Sequence, residues 1–295
     1  MKHHFIPQFY LRPWLGSDHK LEEFGRVPPT NQIRSRRRGT KSTGYEEDLY
    51  VIPDATEETK HNVEKVFMGV VDASAANARD LLLEGVIPQD ELRVAWARFL
   101  LSLMMRTPEQ IAEFKRRISE FWFNPDADLL ARYAEARQSG WPETLQEYLD
   151  GNKKVPERIA VMLATDMMQR EKLLRLLMGA IWRVMGTGTK IRPLITSDRP
   201  LAMTNGLMRP DGHFGLPIGP RHLFVGFMQK DFAEAFCSQP VGKIIRLTND
   251  AVVGQARKNV YAIDATYIAD VRRRMSQREY IQLVPTEENG RKPKP

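Results

Sequence analysis

Apolar residues recur at helical spacing through the middle of the chain and fall into short strand-like runs towards both ends. Over residues 57–84, Val63, Val66, Phe67, Val70, Val71, Ala78, Leu81 and Leu82 share one side of a 3.6-residue turn, which predicts a helix that Gly85 ends. Pro88 can open the next helix, in which Leu92, Ala95, Trp96, Phe99, Leu100, Leu103 and Met104 make a wide apolar face up to Arg106. Thr107-Pro108-Glu109-Gln110 joins a capping hydroxyl, a first-turn proline and a glutamine three residues on, so another helix starts there and reaches Phe123. Shorter helices follow at 127–137 and 143–149, then a long one from 156 to 185.

Gly186-Thr187-Gly188 marks a change of pattern. Strands are expected beyond it at 191–196, 223–228, 243–247 and 280–284, with helices at 250–260 and 267–275 between the last two. In the N-terminal stretch short strands are expected at 20–26 and 45–52, separated by Pro28-Pro29-Thr30-Asn31. Strands at both ends with helices between them predict an α+β fold, a central helical bundle packed on a small mixed sheet formed by N-terminal and C-terminal strands. That sheet would bring His3 and His4 near Asp198. Residues 1–285 read as a single domain and the polar stretch 286–295 as a disordered tail.

Composition narrows the class. At 295 residues, 42% hydrophobic and 27% charged, the chain is long and apolar enough to bury a core without disulfides or metals. The single cysteine, Cys237, has no partner for a disulfide or a metal knuckle. No apolar run suits a signal peptide, and Asp166, Arg170, Glu171, Lys172 and Arg175 interrupt the longest apolar stretch, so a cytoplasmic protein without a membrane span is expected. The formal net charge of +7 is concentrated: Arg34, Arg36, Arg37 and Arg38 lie in a run free of acidic residues, and Arg272-Arg273-Arg274 forms a second cluster. Such runs are either solvated surface or a phosphate-binding, nucleic-acid-binding surface. Phosphate-binding glycine loops, nucleophile-elbow serines and dinucleotide fingerprints are missing, which argues against the common nucleotidases, serine hydrolases and dehydrogenases.

Four polar groupings are candidates for chemistry. His3 and His4 enter an apolar aromatic stretch with Gln8 and Tyr10; an imidazole there can be base, acid or metal ligand, or a satisfied buried group, and alternation in an extended segment lets only one face any given site. Thr196-Ser197-Asp198 closes an expected strand, where Asp198 can bind a metal or orient a histidine, or simply terminate the strand in a side-chain turn. Glu64 and Asp72 share a helix face across two turns and can hold a divalent cation, or be solvated charges. Arg106, with Asn249 among its companions, can cap its helix or grip a phosphate or carboxylate.

His3-His4-Phe5-Ile6-Pro7 resembles the opening of His-Asn-His endonucleases, but the glycine pair and the downstream Asn and His of that pattern are absent. Over a longer stretch, His3 to Arg12, the helix with Glu64, Arg106-Thr107-Pro108 and Ile195-Thr196-Ser197-Asp198-x-Pro200 together resemble the family catalogued as domain of unknown function 4238, from about His3 to about Val271. Pro13 and Arg199 depart from its usual residues. The resemblance implies no activity, but it implies that His4, Pro7, Gln8, Tyr10 and the Thr-Ser-Asp cluster belong to one site or one structural knot. The resulting expectation is a metal-dependent phosphodiester hydrolase acting on nucleic acid, of toxin or antiphage type. In it His4, Asp198 and His3 are catalytic, His4, Asp198 and Glu64 ligate a divalent metal ion, and Arg34 to Arg38 hold phosphates. The alternative is a non-catalytic module binding nucleic acid or protein, with structural His and Asp residues.

Overall fold

The computed structural model describes residues 1–204 and 206–278. The expected strand at 280–284 and the tail at 286–295 lie outside them. The chain opens with β1 (Lys2–His4), the short helix α1 (Gln8–Leu11) and a 3₁₀ turn over Arg12–Trp14, followed by β2 (Leu21–Val27), β3 (Gln32–Arg38) and β4 (Tyr45–Glu47). A π-helical turn, Val63–Met68, leads into α2 (Gly69–Leu83), and helices continue through α3 (Asp90–Met105), α4 (Pro108–Phe123), α5 (Ala127–Ala136), α6 (Leu145–Gly151), α7 (Val155–Met168) and α8 (Glu171–Gly179). Then come β5 (Ile181–Gly186), β6 (Thr196–Ser197), β7 (Ala202–Thr204), β8 (His213–Gly219), β9 (His222–Phe227), α9 (Lys230–Cys237), α10 (Val241–Gln255), β10 (Asn259–Ala262) and α11 (Ile268–Arg274).

The fold is α+β. In place of one mixed sheet it has three small ones, ordered β1-β4, β3-β2-β10-β6 and β5-β9-β8-β7, with antiparallel pairing throughout the described residues. The second sheet joins N-terminal to C-terminal strands: Tyr261 of β10 faces Glu23 on one side and Thr196 on the other. In the third sheet Phe224 and Phe214 pack on Trp96 and Phe99 of α3, while Leu223, Val225 and Phe227 pack on Ala233 of α9 and Ile244 and Ile245 of α10. Strand alternation thus feeds two helical layers from one sheet.

Several elements depart from the sequence expectation; the helix expected at 250–260 ends at Gln255 ahead of β10, and the strand expected at 45–52 spans only Tyr45–Glu47. Residues 243–247 lie inside helix α10, where Ile244, Ile245, Val252 and Val253 are buried at helical spacing; a short β-branched run does not reveal its period. The long helix expected over 156–185 breaks between α7 and α8 and gives way to β5, whose Trp182 and Val184 pair with β9. Residues 191–195 form no strand; their hydrogen bonds are mixed, Leu194 N donating to Pro220 O at 2.8 Å, Trp14 Nε1 to Leu194 O at 2.9 Å and Ile195 N to Asn249 Oδ1 at 3.0 Å.

The N-terminal strand is seated by close packing. Gly44, at φ +67°, brings its Cα against Ile6, where a Cβ would lie 3.0 Å from the Ile6 carbonyl oxygen, and Ile6 N donates to Gly44 O at 3.0 Å. No helix of the described residues is long and apolar enough to cross a membrane.

Candidate functional site

Alternation along β1 sends the two histidines to different places. His3 is fully buried; its Nδ1 accepts the Tyr50 amide at 2.9 Å and its ring stacks on Tyr50. Since Nδ1 is an acceptor, the neutral ring carries its proton on Nε2 and donates to His61 Nδ1 at 3.0 Å. Burial, reinforced by His61, depresses the His3 pKa to about 4.

His4 faces the other way, into an open cleft of about 320 Å³ lined by His4, Gln8, Phe9, Arg12, Glu64, Asp72, Ala73 and Ala76. Its backbone N–H donates to Glu64 Oε1 at 2.9 Å. A hydrogen bond between the ring and the Thr40 backbone favours the protonated ring, so the carbonyl accepts from Nδ1–H, while Nε2 is buried with no partner. Burial and the nearby Arg106 charge lower the pKa of His4, which keeps Nε2 a lone-pair donor at neutral pH. Held at one nitrogen and open at the other, the ring has the usual arrangement of a metal-ligating or proton-accepting histidine.

Beneath the cleft, the π turn and the first turn of α2 present Glu64 and Asp72 to Arg106, which is completely buried at the end of α3. Tyr50 Oη donates to the Arg106 carbonyl at 2.5 Å and fixes that end of the helix. Arg106 Nη1 donates to Asp72 Oδ1 at 2.9 Å, while Nε and Nη2, the side-on fork of the guanidinium, have no partner. Glu64 Oε2 is likewise buried and unpartnered. Burial raises the Glu64 carboxyl to about pKa 7, the His4 amide and Arg106 opposing and Asp72 adding to the rise. Burial also raises Asp72, against the pull of Arg106. One buried cation therefore serves two carboxylates, and Glu64 is the one left short of positive charge. A proton or a metal ion can supply it.

The Thr-Ser-Asp cluster is built differently. Asp198 is 3% exposed and does not line the cleft. Its carboxylate accepts the backbone amides of Arg257 at 3.0 Å and Lys258 at 2.5 Å, bracing the turn into β10, and burial raises its pKa to about 6 against those bonds. Tyr10 Oη donates to Pro217 O at 2.7 Å and so accepts from Thr196 Oγ1, also at 2.7 Å. Ser197 Oγ accepts the Arg199 amide at 3.1 Å, and Asn249 clamps Pro193 and Ile195. His4, Gln8, Glu64 and Arg106 thus converge, while Tyr10, Thr196, Ser197, Asp198 and Asn249 form a separate hydrogen-bonded knot.

Strand β3 divides the basic run. Arg37 shares a face with Ile33 and bonds Asp18, the Lys20 carbonyl at 2.6 Å and the Ile263 carbonyl at 3.0 Å. Arg34, Arg36 and Arg38 occupy the other face, and the chain after Arg38 reaches Thr40, whose hydroxyl meets Gln8 Oε1 at 3.5 Å. Three arginines therefore share the face of β3 opposite Ile33, where Arg38 lies 3.7 Å from Glu23 Oε1.

Sequence reasoning passed over Arg12, Thr40, Asp48 and His61. Ligating atoms of His3, Asp48 and His61 lie within 4.8 Å of one another, so the trio could hold a metal ion. To do so at Nε2, His3 must give up the proton it donates to His61 while Nδ1 still accepts from Tyr50. Only folding reveals this grouping, because His61 lies in a turn with no motif around it.

A family model described as a protein of unknown function, DUF4238, matches residues 2–266. No curated protein and no solved structure matches the chain.

Proposed function

We propose that this chain, which belongs to the DUF4238 family, is a divalent-metal-dependent phosphodiester hydrolase acting on nucleic acid at the His4–Glu64 cleft. The observation that carries the reading is that His4 Nε2 and Glu64 Oε2 are both buried without partners where a carboxylate lacks its counter-charge. His4 and Glu64 would hold the ion, with Asp72 beside them. Such an ion lowers the pKa of bound water and offsets charge on the phosphoryl oxygens. The attacking water oxygen bonds to phosphorus, its proton passes to a carboxylate, and the bond to the departing sugar oxygen breaks as that oxygen takes up a proton. Arg12 at the lip, with Gln8, would position the phosphate, and Arg34, Arg36 and Arg38 would guide the strand.

The test is cleavage of a labelled oligonucleotide with Mg²⁺ or Mn²⁺ by the intact chain. Metal-stimulated cleavage should fall by at least about 100-fold, the usual scale of one acid–base or ligand group, in His4→Ala and in Glu64→Gln. Undiminished cleavage in both folded variants would sink the proposal. The binding-module alternative draws support from the satisfied hydrogen bonds of Asp198, Tyr10 and Thr196. Metal-independent binding without cleavage would favour it.

A further inference from the structure

The two basic runs, remote in sequence, meet in the fold. Helix α11 packs on the face of the second sheet that carries Phe24, Ile33, Val260 and Ala262, and Arg272 Nε donates to the Ile33 carbonyl at 3.2 Å. Leu21 and Tyr261 alternate to the opposite face, into the core shared with Phe9 and Tyr10 of the cleft-bearing segment. The last turn of α11 separates two hollows. One, about 430 Å³, has Arg26 and Arg272 on its walls. The other, about 500 Å³, lies between α11, α10 and the extended chain at 190–195.

This larger hollow has a polyanion's chemistry reversed. Ile195, Ile245, Val253 and Tyr267 form an apolar floor, and Lys190, Arg192, Arg246, Arg273 and Arg274 surround it. Asp270 clamps Arg192 at 2.5 Å and Arg273 at 2.9 Å, Asp250 holds Arg274 at 2.5 Å, and Arg192 also stacks over the Tyr267 ring at 4.0 Å. The two carboxylates fix guanidinium positions without matching the five cations, and Lys190 and Arg246 make no ion pair among the described residues. Fixed donors over an apolar floor suit a chain of phosphates carrying flat bases. A membrane surface is the poorer match: basic membrane sites pair their cations with protruding apolar side chains, and none of the exposed large apolar residues lines this hollow.

We infer that the α10–α11 groove is a binding site for the sugar-phosphate backbone of a single-stranded nucleic acid, distinct from the His4–Glu64 cleft and independent of whether that cleft is hydrolytic. The test uses the intact chain and a fluorescein-labelled single-stranded DNA of about one dozen nucleotides, the scale of a single-strand binding groove, read by anisotropy across a salt series without divalent metal. In Lys190→Glu/Arg246→Glu, whose side chains make no ion pair among the described residues, affinity should fall at least about tenfold, and the log–log salt slope should shrink by about 1.4, or about 0.7 for each phosphate no longer neutralised. Cleavage by the same Lys190→Glu/Arg246→Glu chain is scored separately with divalent metal, so a silent cleft and a silent groove give different results. Parental affinity and slope in the charge-reversed variant, with its melting temperature unchanged, overturn the inference. So does a parent chain that ignores the oligonucleotide but sediments with phosphatidylserine vesicles.

Discussion

Glu64 is where burial and charge count conflict most openly. Its carboxyl is raised from an ordinary 4.5 to about 7, chiefly by burial, with the His4 amide and Arg106 opposing the rise. Between those two values the folded chain keeps a proton that the unfolded chain has released. Stability therefore falls as pH rises through that window, by about 3 kcal/mol at about 1.36 kcal/mol per pKa unit. Glu64→Gln removes the titration, so its melting temperature should stay flatter than the parent's between pH 5 and 8 and exceed it at pH 8. Thermal melts in chelator-treated buffers check this, and equal pH profiles would show that Glu64 finds its counter-charge within the protein. A divalent ion competes with the same proton. Added Mn²⁺ should thus stabilise the parent more at pH 8 than at pH 6, and leave Glu64→Gln largely unaffected.

Among the elements, the knot around β6 and β10 shows what Asp198 contributes. A two-residue strand makes few ladder bonds, and the Asp198 carboxylate extends the pairing by holding two further amides on the way into β10. Asp198→Ala should leave those amides bare and destabilise the chain by about 2–4 kcal/mol, on a scale of about 1–3 kcal/mol for a missing buried partner. Divalent-metal affinity of the folded fraction should be unchanged, and calorimetric titration that showed abolished metal binding at intact stability would return Asp198 to the site. The helices with caps were legible in sequence: Thr107-Pro108 starts α4 at the residue its motif indicates. Residues 243–247 were not, since three apolar residues in five carry no period and only the sheet beneath Ile244 and Ile245 decides. The site was half legible. Composition and spacing single out His4 and Glu64, but the separation of Asp198 from them depends on which carboxylates find backbone amides, and that is set by tertiary contact.

Across the whole molecule, two groups of arginines stand on the two faces of one sheet edge. β3 is the outermost strand of its sheet; Arg34, Arg36 and Arg38 lie on the cleft side, while Arg26 and Arg272 stand on the side that leads to the α10–α11 groove. If the cleft and the groove both act on nucleic acid as proposed, these arginines would meet its phosphates from a distance. Arginines that only guide the strand act at long range, and their effect must vanish as salt shortens the screening length from about 10 Å at 0.1 M towards about 3 Å at 1 M. Arg34→Glu/Arg36→Glu should therefore lower kcat/KM for oligonucleotide cleavage roughly tenfold at low salt, with kcat unchanged, and approach the parent at high salt. A steady-state salt series measures it. A decrease of equal size at every salt concentration would mean that these arginines shape the cleft itself, since an interaction inside the site is not screened away.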